Sequence, residues 1–127
     1  MTAMSVFTKA EISCLDGGGR LGRLATVGRD GTPHIVPVGF SRNGDAIEIG
    51  GHEMAKSKKF RDVAASGRAA FVVDGVASKS PWRVRGVEVR GKAEAINGER
   101  PFIRISPERI VSWGLSEGEG HNARSVG

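Results

Sequence analysis

The chain has 127 residues, 39% hydrophobic and 26% charged, the profile of a single soluble globular domain with a modest core. No apolar run nears the ~18 residues of a membrane span, no basic-then-apolar leader opens the chain, and one cysteine excludes an internal disulfide; a cytoplasmic protein without a membrane partner is expected. A formal charge of +5 and a pI near 10.0 point to anionic partners such as nucleic acid, a phosphorylated cofactor or an acidic substrate, unless the excess is simply spread over a solvated face.

Met1 to Val6 reads as a loose arm. Thr8-Lys9-Ala10-Glu11 has the form of a capping box with Phe7 as a staple, so a short helix bearing Ile12, Cys14 and Leu15 starts there and stops at Gly17–Gly19. Cys14 reads as a packing residue, since no His or Cys lies nearby in sequence to activate it. Gly17 to Gly22 spell G-x-G-x-x-G, but a dinucleotide site needs those glycines after a strand and before a helix. Here the order is reversed and a connector is predicted. Arg20–Val27, Thr32–Phe40 and Asp45–Gly51 alternate as strands. Asp30-Gly31 and Asn43-Gly44 separate them, pairs that accept positive φ, so an antiparallel meander is predicted.

The meander leads into a helix over Met54–Ala65, with Phe60, Val63 and Ala64 on one side and lysines on the other. Arg68–Asp74 is predicted as a buried strand and Gly75–Pro81 as a loop. Trp82–Ile96 is a long strand in which Gly86 and Gly91 mark a bulge or a close backbone approach. After a turn at Asn97-Gly98, Phe102–Ile105 and Arg109–Trp113 read as strand, bent at Ser106-Pro107, with Trp113 structural. The domain is expected over residues 1–115, with 116–127 a disordered tail. Six or seven antiparallel strands and two helices suggest a barrel or a sandwich.

His34, His52 and His121 stand away from any residue at metal-ligand spacing, so no metal site is read. No nucleophile and base, and no pair of carboxylates, can be singled out, and catalytic residues stay unassigned. Chemistry without such groups is commonly carried by a cofactor. The strongest positive feature is Lys56-Ser57-Lys58-Lys59 at a helix start, where ammonium and backbone N–H groups suit a phosphate; a solvated basic face is the equal alternative. Gly50-Gly51 lets a ligand approach the backbone or merely serves the turn. Pro37 cannot donate to a ladder, so it marks an edge or bulge and leaves backbone groups near Val36 and Val38 for a ligand's polar rim. Trp82 with Arg83 or Arg85 suits a flat anionic molecule, and Trp82 suits a core or a dimer interface equally well.

Leu24-Ala-Thr-Val27, Asp30-Gly-Thr-Pro-His34, Val36-Pro-Val38 and Lys56-x-x-x-Phe60 together resemble the pyridoxamine phosphate oxidase-like flavin-binding split barrels. Pro81–Gly91 (PWRVRGVEVRG) and Ser106–Leu115 (SPERIVSWGL) are similar to the actinobacterial branch that uses the deazaflavin coenzyme F420 and contains oxytetracycline-type reductases. The resemblance implies a mainly β fold: a six-stranded antiparallel Greek-key split β-barrel with two short helices, homodimeric, with cofactor sites at the subunit interface. It implies Lys56 on the cofactor phosphate and Lys58, Lys59 and Arg85 towards an acidic tail. Backbone of Val36, Pro37, Val38, Gly50 and Gly51 would meet the ring system, and Trp82 would arrive from the partner subunit.

The implied activity is an F420-dependent oxidoreductase passing hydride from reduced deazaflavin to an enone- or quinone-like small molecule, with FMN as the alternative cofactor. Pyridoxamine phosphate oxidases carry a Ser-Arg-Lys clamp. Here Ala55 precedes Lys56, and their C-terminal substrate region has no counterpart, so vitamin B6 oxidation is not expected. A rival outside catalysis is a basic barrel that stores the cofactor or binds nucleic acid. The absence of tyrosine and only 6% aromatic residues count against nucleic acid, which single-strand binders hold on aromatic platforms.

Overall fold

The computed structural model describes residues 5–116 and 120–127. Helix α1 (Lys9–Asp16) starts at the predicted capping box: Thr8 Oγ1 accepts from the Glu11 N–H at 3.1 Å, and Glu11 Oε1 accepts from the Thr8 N–H at 2.9 Å. Phe7 is buried ahead of it, as a staple residue should be. Eight strands then follow: β1 (Gly22–Val27), β2 (Pro33–Val38), β3 (Ser41–Asn43), β4 (Ala46–Ile49), β5 (Arg68–Lys79), β6 (Trp82–Ile96), β7 (Phe102–Trp113) and β8 (His121–Ser125). A single 3-10 turn (Met54–Lys56) and helix α2 (Lys58–Ser66) sit between β4 and β5. The expected helix is thus two pieces, because Ser57 takes extended backbone and caps α2, its Oγ accepting from the Phe60 N–H.

All eight strands belong to one antiparallel sheet, in the order β2-β1-β5-β6-β7-β4-β3 with β8 on β7. The fold is mainly β, as expected, but two details are corrected. Six strands become eight, because Ser41–Asn43 forms its own short strand and His121–Ser125 folds back. The three-strand meander also fails: β2 pairs with β1, and β3 pairs with β4 at the opposite end of the order. Only Gly39 and Phe40 join these two end strands, three Cα steps or about 11 Å at most. The sheet must therefore curl until its ends come close, as in a split barrel. Phe40 lies at this seam with its ring 4.7 Å from that of Phe71 on β5.

Inward residues fill the barrel. Leu24, Ile47, Ile49, Phe71, Val73, Val87, Val89, Ile103, Ile105 and Ile110 are essentially inaccessible to solvent. Helix α2 closes one flank with Phe60 and Val63. Ala64, predicted on that buried side, is exposed instead.

The predicted loop over 75–81 is strand almost throughout, since β5 continues to Lys79 and only Ser80–Pro81 turn the chain into β6. β6 spans Trp82–Ile96 as predicted. Its glycines serve close approach: a Cβ on Gly91 would collide with the Ser106 carbonyl, and one on Gly86 with the Trp113 ring. The pairing shifts at Arg90/Gly91, leaving Glu108 as the extra residue of β7. The bend predicted at Ser106-Pro107 is this bulge, which accommodates a proline inside a paired strand.

The bulge also marks a handover. Before it β7 pairs with β4 through Ile103–Ile105; beyond it β7 pairs with β8 through Arg109–Trp113. The tail expected over 116–127 is accordingly a strand over His121–Ser125, while 117–119 lie outside the described residues. Arg124 explains the order, because its guanidinium reaches back to Glu11 and to the Val6 carbonyl.

Candidate cofactor site

The end of β4 runs through Gly50 and Gly51 into the 3-10 turn, and these residues line one wall of a cavity of about 640 Å³ together with Lys56. A Cβ on Gly50 would meet nothing within 4 Å, and one on Gly51 only the Met54 methyl at 3.6 Å, so both present bare backbone to open space. Ser41 and Glu48 of the β3–β4 hairpin form a second wall, and Arg100 to Phe102 of the β6–β7 turn a third. The third wall was missed in the sequence. It follows from the pairing of Ile49 with Ile103, which lays the turn after β6 over the end of β4.

Lys56 is one of two exposed cations lining this cavity, with Arg100; its side chain is 81% accessible and its Nζ lies 3.7 Å from Glu53 Oε1. Glu53 adopts φ 50° and ψ 41°, the one non-glycine residue at positive φ among those described. Such backbone costs about 1 kcal/mol or more and tends to collect at ligand sites. Lys56 N–H and Ser57 N–H are bonded to the Glu53 and Met54 carbonyls. The N–H groups of Lys58 and Lys59 open α2 and have no acceptor within the helix. Free donors and an unburied ammonium at one helix start suit an anionic group.

The other predicted lysines differ. Lys58 turns towards α2's own Asp62, Nζ to Oδ1 at 3.2 Å, and lies beside Gly28 at the end of β1. Asp62 is buried and also accepts from Thr26 Oγ1 at 2.8 Å. Burial pushes its carboxyl pKa up, but the Thr26 hydroxyl, the Lys58 ammonium and nearby His34 outweigh this and hold it below the usual carboxylate value. Lys59 is half-buried on α2.

On β2, His34, Val36 and Val38 face inward, with Val38 buried, while Pro37 faces out along an edge strand, as its missing N–H predicts. Thr26 and His34 are register partners. His34, at the start of β2, therefore lies beside Asp62 of α2, and the Gly50–Lys56 wall leads into the same helix. Val36, Pro37 and Val38 lie further along β2, opposite Leu24, Arg23 and Gly22, and do not line the cavity that holds Lys56.

Trp82 and Arg85 do not line that cavity within one chain either. Trp82 stands 66% exposed at the tip of the β5–β6 ribbon. Arg85 lines a different cavity, beside α1. Among the described residues no three His, Cys, Asp or Glu side chains gather at metal-binding distance, and no helix is long and apolar enough to cross a membrane.

Comparison with known proteins extends these observations. The pyridoxamine 5'-phosphate oxidase family profile matches residues 10–126. A 5a,11a-dehydrotetracycline/5a,11a-dehydrooxytetracycline reductase of Streptomyces rimosus is 46% identical over 134 aligned positions, covering 94% of this chain and 93% of that protein. Among solved structures, a conserved hypothetical protein of Mycobacterium tuberculosis superposes with TM-score 0.72 at 24% identity, over 99% of this chain and 96% of the other. A protein described as an F420 reductase superposes with TM-score 0.64 at 21% identity, over 82% and 98%. At such identities the two structures establish the shared fold.

Proposed function

Given that the chain belongs to the pyridoxamine 5'-phosphate oxidase family, we propose that it is an oxidoreductase that reduces a conjugated, enone- or quinone-like small molecule with hydride taken from reduced coenzyme F420. Chief support is the 46% identity, over nearly the whole of both chains, to a protein named as a dehydrotetracycline reductase. The same fold occurs in a protein described as an F420 reductase and in proteins described as FAD-binding, which supports a cofactor of the flavin type, with FMN the alternative to the deazaflavin. When bound, the reduced deazaflavin supplies a hydride and loses two electrons, while a carbon–carbon double bond of the acceptor gains that hydride and a proton from water.

The chain's own residues hold and orient. Lys56 and the first N–H groups of α2 bind the cofactor phosphate. Gly50 and Gly51 admit the ligand against bare backbone, and the backbone around Val36, Pro37 and Val38 borders the ring. Placing hydride donor and acceptor in contact is itself a large catalytic contribution, which fits a site without an assigned acid–base pair.

The working unit in this proposal is a homodimer. Ile35 is 65% exposed and Val27 is also exposed, beside an apolar depression of about 500 Å³ over Ala25, Pro33 and Ala70 on the outer face of β1, β2 and β5. A second copy seated there would cover this face. It would also bring the exposed Trp82 ribbon, with Val76 and Val84, towards its neighbour's cofactor site.

The test is a fluorescence titration with F420 and, separately, with FMN, repeated on Lys56→Ala. Selective F420 binding, weakened about tenfold or more by loss of one charge-assisted contact, is the expected result. Preference for FMN would assign the flavin instead, and binding of neither would remove the site assignment.

A further inference from the structure

A second cavity, of about 550 Å³, lies between α1 and the β5–β6 ribbon, lined by Ser13, Cys14, Gly17, Arg20, Arg85 and Leu115 among others. Arg20 enters it from the connector after α1. Its Nη2 donates to the Cys14 carbonyl at 2.7 Å and so caps the helix, but its Nη1 is buried with no hydrogen-bond partner among the described residues. A buried guanidinium N–H without an acceptor is costly, and in native proteins such a group usually meets a ligand or water.

Arg85 faces the same space. Gly75 and Arg85 are direct register partners, so their side-chain directions share one face of the ribbon. A Cβ on Gly75 would come to 3.6 Å from Arg20 Nη1. Both guanidinium groups therefore address the face that glycine leaves bare. The neighbouring carboxylates are engaged elsewhere. Asp16 binds Arg42 through two hydrogen bonds of 3.0 and 2.8 Å, and Glu11 is held by Ser112 and Arg124. Asp74 projects to the opposite face, beside Gly86 and Trp113. Among the described residues neither Arg20 nor Arg85 has an ion-pair partner.

We propose that this cavity is an oxyanion subsite, in which the planar donors of Arg20 and Arg85 take the carboxylate or phosphate of a small molecule. Two sources share that chemistry: the acidic tail of the cofactor, or an acidic group on the acceptor. The subsite itself does not depend on the F420 assignment.

The experiment follows the Arg20 and Arg85 side-chain Nε–H signals of the full chain by NMR while inorganic phosphate and, separately, succinate are added without any cofactor. Saturable shifts of both signals are expected. Arg85→Gln should weaken binding about tenfold, the loss of one charge-assisted hydrogen bond, and Gly75→Val should abolish it by filling the space. Arg20→Gln is a further variant, but it removes a helix cap, so the other two carry the test if it unfolds. Non-saturating shifts, or unchanged affinity in both Arg85→Gln and Gly75→Val, would overturn the subsite. So would binding that appears only after Glu117→Gln and Glu119→Gln are combined, since the chain's own carboxylates would then be the partners. A second arm compares F420 with deazariboflavin, which lacks phosphate and glutamates. Loss confined to F420 in Arg85→Gln assigns the subsite to the tail. Loss confined to succinate and phosphate assigns it to an acidic acceptor.

Discussion

The polar cluster around Glu11 and the polar wall around Lys56 use the same residue types to opposite ends. Glu11 is 0% exposed and its oxygens take hydrogen bonds from Thr8 N–H, Ser112 Oγ at 2.6 Å and Arg124. Lys56 and Glu53 face each other at 3.7 Å with most of both side chains in water. In the first cluster every group depends on the others, because a buried charge without its partners is expensive. In the second, water already satisfies both charges, so their mutual attraction is worth little and the cation remains available to a ligand. Burial decides which charges build the molecule and which are left to bind.

Glu11→Ala breaks the comparison most severely. It strands the Arg124 guanidinium, the Ser112 hydroxyl and the Thr8 N–H together, and should cost about 3–5 kcal/mol of unfolding free energy in urea. A loss below about 1 kcal/mol would mean that the cluster does not tie the chain ends. The pH dependence of stability should report the same group. Burial raises the Glu11 pKa, but Arg124, Ser112 and Thr8 outweigh it and hold the carboxyl below its usual value, as happens for Asp62. Carboxylates with depressed folded-state values stabilise fully above their unfolded values, about pH 4–5. That contribution disappears as the pH falls through the folded values. Denaturation midpoints followed from pH 7 to pH 3 should fall below about pH 4.5, less steeply in Glu11→Gln than in the parent.

Asp62→Asn is the intermediate case. It keeps an acceptor for Thr26 but removes the charge facing Lys58, whose side chain is nearly half exposed. About 1–2 kcal/mol should be lost in the same measurement. The mildest change is Glu53→Gln. Stability should move by less than about 0.5 kcal/mol, while removal of the carboxylate opposite Lys56 should raise affinity for F420 a few-fold. Weaker binding would instead give Glu53 a direct part in holding the ligand.

Local features of the fold were legible in the sequence where local chemistry sets them. The Thr8–Glu11 capping box, the extent of Trp82–Ile96 and the close approaches at Gly86 and Gly91 all depend on residues near in sequence or on the bare size of glycine. The sheet order was not legible, because Val36-Pro-Val-Gly-Phe40 keeps its strand-like character across a break that sends β2 and β3 to opposite ends. β8 was missed because His121–Ser125 offers almost no apolar side chain, and its order depends on Arg124 meeting Glu11, 113 residues away.

Of the lysine cluster, the pairing of Lys58 with Asp62 could have been read from their four-residue spacing on a helix. The Arg100–Phe102 wall and the Arg20 cavity could not, since both depend on strand register. Glu11 was read only as a capping residue. Its second carboxylate oxygen, bound to Ser112 and Arg124, has no local signature.

The handover at the β7 bulge has a bearing on how the protein tolerates alteration at its C-terminus. Five residues of β7, Arg109–Trp113, owe one side of their ladder to β8 alone. Without the last turn of chain, that half-strand becomes a row of unanswered donors and acceptors, a template for pairing with another molecule. The His121–Ser125 strand therefore covers this edge of the sheet against strand-to-strand pairing with another molecule as well as completing the sheet.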